Sequence, residues 1–134
     1  MTPQKQTKFS DHNNPSLRGN CFSACLASIM DLDISEIPNF AQLHNDTGEW
    51  LDAFFEFIRN YPKFELNGSG HKIEELKNYP GVDGYVIVCG SSPRGFKAGH
   101  SVIYKNGEPF FDPHPDNTFL KKFEYFYLID QVLV

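Results

Sequence analysis

Long apolar runs are missing from this sequence, and so is the apolar core that a signal peptide would place behind its polar start, MTPQKQTKFSDHNNPS. Together these absences predict a soluble, cytoplasmic protein with no membrane partner. Cysteine is scarce: three residues at no repeating spacing make an odd count that argues against a disulfide framework and fits free thiols in a reducing compartment. Basic residues are few, 12 Lys and Arg against 17 Asp and Glu for a net charge of −5. They form no stripe that would neutralise a run of phosphates, so nucleic acid is not an expected partner. No repeat, low-complexity tract or linker interrupts the 134 residues, which is the length of one ordinary domain.

Aromatic side chains are what the chain has in quantity. Thirteen Phe, six Tyr and one Trp suit a packed, β-rich interior. A single α+β domain over 1–134 is expected, with 1–17 as a polar arm or loop. The apolar, small-residue stretch CFSACLASIM reads as a helix with Asn20 as its N-cap and Cys21 as its first residue; Phe22, Leu26, Ile29 and Met30 fall at the spacing of a buried face. Asp33 or Ser35 is placed to cap a short turn before Pro38. Asp46 or Thr47 precedes a second amphipathic helix, GEWLDAFFEFIRNY, which Pro62 stops. A short strand at 64–66, a Gly-rich turn and a small helix at 73–78 follow. From residue 84 the pattern becomes four strands, GYVIVCG, GHSVIYK, EPFFD and FEYFYLIDQVLV, expected to pair antiparallel with the N-terminal helix packed against them.

A thiol attacks only as the thiolate, and the first turn of a helix offers free N–H groups and partial positive charge that lower its pKa and can also receive an oxyanion. Cys21 occupies such a position, although burial as packing is the commoner fate of a lone cysteine. His100 opens a strand directly after Gly99, and Asp112 ends the next one. If Lys105-Asn106-Gly107 forms a three-residue hairpin loop, His100 pairs with Asp112 and the imidazole and carboxylate become cross-strand neighbours. A two-residue Asn106-Gly107 turn shifts the pairing by one and sends Asp112 to the opposite face. A Cys-His-Asp triad therefore requires the longer loop. The alternative for these two residues is a strand-edge histidine and a turn-forming Asp-Pro.

A cysteine opening a helix in GNCFSACLAS, followed by histidine and aspartate on successive strands in GHSVIYKNGEPFFDP, resembles the papain-like cysteine peptidase superfamily. The short bacterial and phage members are most similar, among them the double-glycine leader peptidases, with arylamine N-acetyltransferases and transglutaminases more distant. The resemblance implies a papain-like fold, Cys21 as nucleophile, His100 as proton carrier, Asp112 as the orienting carboxylate, a peptide or small amide or acyl substrate, and no cofactor. It also implies an upstream oxyanion-hole glutamine; that stretch here carries Asn13 and Asn14, so Asn14 or Asn13, with Asn20 beside the Cys21 amide, is the candidate donor.

Arg94 and Lys97, in the turn-rich loop before His100, are candidates for gripping a substrate carboxylate or phosphate. His114, just beyond Asp112-Pro113, is placed to line the cleft, whereas His12, His44 and His71 read as loop or surface residues. Cys25 lies one turn beyond Cys21 and Cys89 lies in an apolar strand; both read as packing. Two other functions compete with hydrolysis of a peptide bond: small-molecule amidase, deamidase or acyltransferase chemistry on the same triad, and a metal-binding or inactive interaction module using the cysteines. The C-x3-C spacing of Cys21 and Cys25 does not match a zinc knuckle.

Overall fold

Residues 1–11, 13–14, 17–43, 47–78, 84–95 and 99–131 are described by a computed structural model of the chain. The stretch without proline or glycine after Asn20 forms α1 (Cys21–Met30), and every residue from Phe22 to Met30 is buried. Its two serines can be buried because each hydroxyl finds a carbonyl: Ser23 Oγ donates to Pro38 O at 2.6 Å and Ser28 Oγ to Ala24 O at 2.7 Å. The helix ends where Asp31 turns left-handed, at φ 55°. Asp33 then caps a 3-10 turn, Ile34–Glu36, accepting from Ser35 N at 2.9 Å while Glu36 accepts from Asp33 N at 3.1 Å. Two further helices follow, α2 (Phe40–Leu43) and the amphipathic α3 (Thr47–Arg59). Asp46, the other expected cap of α3, lies outside the described residues.

Five strands, β1 (Phe64–Gly70), β2 (Tyr85–Ser91), β3 (His100–Lys105), β4 (Glu108–Phe111) and β5 (Lys122–Gln131), make one antiparallel sheet in the order β1-β5-β2-β3-β4. The architecture among the described residues is α+β, with three α-helices and this sheet. One expectation fails at β1, where the glycine-rich segment 67–70 continues the strand rather than turning. A register shift between Leu66 and Gly68 absorbs Asn67, with Gly68 at φ 131°. A Cβ at Gly70 would sit 2.5 Å from the Phe126 ring, so a larger residue there would have to displace that ring from β5.

β2 is apolar on both faces because both are covered. Ile87 and Cys89 join Phe22, Leu26, Phe54, Ile58, Ile103 and Tyr127 in the core under α1 and α3, while Val86 and Val88 join Leu76, Val102, Tyr104, Phe126 and Leu128 on the other side. The aromatic content of the sequence is concentrated under the helices. Phe22 meets the rings of Trp50, Phe54, Phe40 and Tyr127 edge-on at centroid distances of 5.2, 4.9, 6.5 and 5.8 Å. Full burial of one such ring stabilises the fold by about 2–3 kcal/mol, so this cluster fixes α1 on the sheet and with it the position of Cys21.

The β3–β4 hairpin overturns the expected loop. Lys105 pairs with Glu108, and the turn is the two-residue Asn106-Gly107 with both residues left-handed, at φ 52° and 85°. Asn-Gly favours this turn because its twist matches that of the strands. By itself it would turn Asp112 away from His100. A bulge restores the relation: Tyr104 pairs with Pro109 but Ile103 with Phe111, so Phe110 is an extra residue in β4. The pairing thereby moves by one more residue, which returns Asp112 to the His100 side, displaced diagonally along the ladder. The bulge falls on an edge strand next to Pro109, which has no N–H to give the ladder.

Candidate active site

The end of β3 and the start of α1 bring two sequence-distant groups together. Gly99, at φ 75°, lets the chain enter β3 close to β2; a Cβ there would lie 2.9 Å from Gly90 O. His100 follows, 5% exposed, and its Nε2 lies 2.6 Å from Asp112 Oδ1. Asp112 is 1% exposed and fully engaged: Oδ1 also accepts from His114 N at 2.9 Å, an Asx turn across Asp112-Pro113-His114, and Oδ2 accepts from Phe119 N at 2.8 Å. Burial alone would raise the Asp112 pKa, but the His100 hydrogen bond and the two amides outweigh it and hold the group below the ordinary carboxylate range. It is therefore ionised at neutral pH.

With Nε2 committed to the carboxylate, Nδ1 is the His100 nitrogen left for Cys21. Burial of the thiol works to raise its pKa, yet the hydrogen bond and charge of His100, with the backbone and side-chain donors of Ser101, bring it below the ordinary thiol value. Desolvation likewise opposes a charged His100, but Asp112 and Cys21 together raise it to about 9. These opposite shifts favour a thiolate–imidazolium pair over two neutral groups. Cys21 is partly exposed, whereas Cys25 and Cys89 are buried. Burial drives the Cys25 pKa well up, and Cys89, bonded to Ser101 Oγ at 3.3 Å, is pushed to about 12. Of the three cysteines, Cys21 is thus the one that is partly exposed and has a charged partner.

The other candidates fall out differently. Asn20 occupies the N-cap position of α1 but its side chain does not cap it. Its Oδ1 accepts instead from Thr7 N at 3.0 Å and Lys8 N at 2.9 Å, and its Nδ2 donates to Thr7 Oγ1, so the carboxamide serves the N-terminal arm. The first intrahelical bond is Ala24 N to Asn20 O, which leaves the preceding N–H groups of Cys21, Phe22 and Ser23 at the helix start. Asn13 and Asn14 are exposed in a turn closed by Asn14 N to Asp11 O at 3.2 Å. Arg94 meets an anion from its own chain, with Nη1 2.8 and 3.0 Å from the two oxygens of Asp116 and 3.2 Å from Thr118 Oγ1. The guanidinium expected to grip a substrate anion thus has an acidic partner within its own chain. Lys97, His12 and His44 lie outside the described residues, and His71 is exposed.

His114 stands beside the site, its ring 6.2 Å from that of His100 and edge-on to Phe9 at 5.4 Å. Desolvation and the Arg94 charge lower its pKa, so it is neutral and its Nδ1 accepts from Asp116 N at 3.1 Å. Among the described residues no group of three or more His, Cys, Asp or Glu is arranged to hold a metal ion, nor is any helix long and apolar enough to cross a membrane. No family model matches the chain, and no curated protein or solved structure matches it either.

Three participants were not evident from sequence. Phe119 is held left-handed at φ 61° with its N–H on Asp112, a strained conformation that only the folded site explains. Ser101 follows His100 and alternates away from it, so nothing in its spacing marks it. Lys5 reaches the acid turn from more than a hundred residues away in sequence, as described below.

Proposed function

We propose that this protein is a cysteine-nucleophile hydrolase of papain-like architecture that cleaves an amide or peptide bond in the cytoplasm. The observation that carries the reading is the position of His100, bonded to the buried Asp112 carboxylate through one ring nitrogen and interacting with the Cys21 thiol at a helix start. Asp112 fixes the tautomer and orientation of the ring and supports its positive charge. The Cys21 thiolate attacks the substrate carbonyl, and the N–H groups at the start of α1 receive the developing oxyanion. His100 protonates the leaving amine as the acyl-enzyme thioester forms. It then takes a proton from water, whose hydroxide releases the acyl group as a carboxylic acid and regenerates the thiolate.

Amidases, deamidases and acyltransferases share that thioester, so product identity separates them. The test is to incubate the protein with panels of peptides, small amides and acyl donors, quench early, and map adduct mass. The proposal expects an acyl group on Cys21 and a free carboxylic acid product, both lost in Cys21→Ala. Turnover that survives Cys21→Ala would overturn it.

A further inference from the structure

The N-terminal arm does not lie idle on the surface. Thr2 N donates to Ser28 O at 3.1 Å and Gln4 N to Ser28 Oγ at 2.9 Å, which lays the arm along α1. Gln6 N donates to Pro113 O at 3.0 Å, within the acid turn, and Thr7 and Lys8 hold Asn20, the residue before the nucleophile. The arm therefore touches both halves of the triad. At the centre of this contact Lys5 Nζ donates to Asp112 O at 2.8 Å, His114 O at 3.2 Å and Asn117 Oδ1 at 2.7 Å, and lies 5.0 Å from the centroid of the Phe111 ring. An ammonium has three protons, and all three are placed on the one turn whose amides hold the Asp112 carboxylate.

We propose that Lys5 is a positioning residue: its ammonium locks the 112–117 turn so that Asp112 is presented to His100. The proposal rests on the triad reading above. Without that clip, the carbonyls of Asp112 and His114 are free to rotate, and the His114 amide swings off Oδ1. The carboxylate then loses the rotamer that reaches Nε2. Among the described residues, Cys21 and Asp112 face His100 directly, His114 flanks it, the Lys5 ammonium lies on the Asp112 carbonyl, and Arg94 pairs with Asp116. Lys5 acts on His100 through the geometry of Asp112.

The test is the rate of iodoacetamide alkylation at Cys21 against pH, read by mass spectrometry in the full chain. In the wild type the rate is expected to show an alkaline limb near pH 9, where His100 would lose its proton and the thiolate its ion-pair partner. Lys5→Met keeps an unbranched aliphatic side chain and removes the donors; the limb is expected to fall by about one pH unit. Lys5→Arg, which carries several N–H donors on a similar stem, is expected to restore it. A purely structural lysine would lower the melting temperature and leave the limb in place. Should Lys5→Met fail to fold, Asn117→Gly removes one of the three acceptors while tolerating the left-handed φ of 55°, and a smaller downward shift is expected. A wild-type limb that neither variant moves overturns the Lys5 assignment alone. A wild-type profile with no such limb overturns the triad reading as well.

Discussion

Replacing Asp112 by Asn changes one oxygen for an amide and removes one charge, yet the surroundings make this substitution severe. Oδ1 receives His100 Nε2 and His114 N, and Oδ2 receives Phe119 N, so every contact requires an acceptor. The asparagine NH2 must face one of these donors, leaving a buried donor pair unsatisfied at a cost of about 1–3 kcal/mol. Loss of the charge-assisted bond to His100 adds about 1.5–3 kcal/mol. Together, about 2.5–6 kcal/mol, they lower the melting temperature by about 10–20 °C for a domain of this size. The catalytic cost is expected to be about 10²–10⁴-fold in kcat, because His100 loses its orientation and its raised pKa falls towards the ordinary imidazole value. Thermal unfolding followed by circular dichroism and the pH dependence of Cys21 alkylation measure the two effects. A variant that melts within about 2 °C of the wild type, with a superimposable pH profile, would refute the reasoning. The same coupling sets the acid behaviour of the wild type. Because the native Asp112 pKa is depressed, its contribution is present above the ordinary carboxylate value and is lost as pH falls through the native one.

Two further predictions concern the backbone that aims the site. Gly99→Ala forces a Cβ to 2.9 Å from Gly90 O at φ 75°, and is expected to cost about 1–3 kcal/mol and reduce Cys21 alkylation by moving His100; urea unfolding and the alkylation rate check it. Deleting Phe110 removes the bulge but keeps Ile103 opposite Phe111, so Cys21 should retain its reactivity at neutral pH; loss of that reactivity in a folded deletion variant would contradict the register account.

The sequence carried the α+β order, the helix opening at Cys21 and the strand opening at His100, because each rests on a local pattern of apolar spacing and punctuation; the next strand, expected to end at Asp112, closes one residue earlier at Phe111. The hairpin shows where local reasoning stops. Asn106-Gly107 states its own two-residue turn, but the Phe110 bulge that corrects the register depends on pairing across strands, and Pro109 is only a weak hint of it. Asn20 illustrates a competition: as a helix cap its carboxamide would satisfy one amide, whereas on the arm it engages Thr7 and Lys8 together. Arg94 likewise read as a candidate grip for a substrate anion, because Asp116, 22 residues on, carries no mark of being its partner. Lys5 and Phe119 act through contacts that exist only once the acid turn is folded.

The central claim, that Cys21 is a thiolate held by His100, is tested most directly by site-resolved iodoacetamide labelling of the folded protein across pH. The account predicts alkylation confined to Cys21, already fast at neutral pH, level through the range where His100 stays protonated, and changing near pH 9; Cys25 and Cys89 remain unlabelled until the protein unfolds. Equal labelling of the three thiols, or a Cys21 rate that simply rises along the titration of an ordinary thiol near pH 8.5, would contradict it.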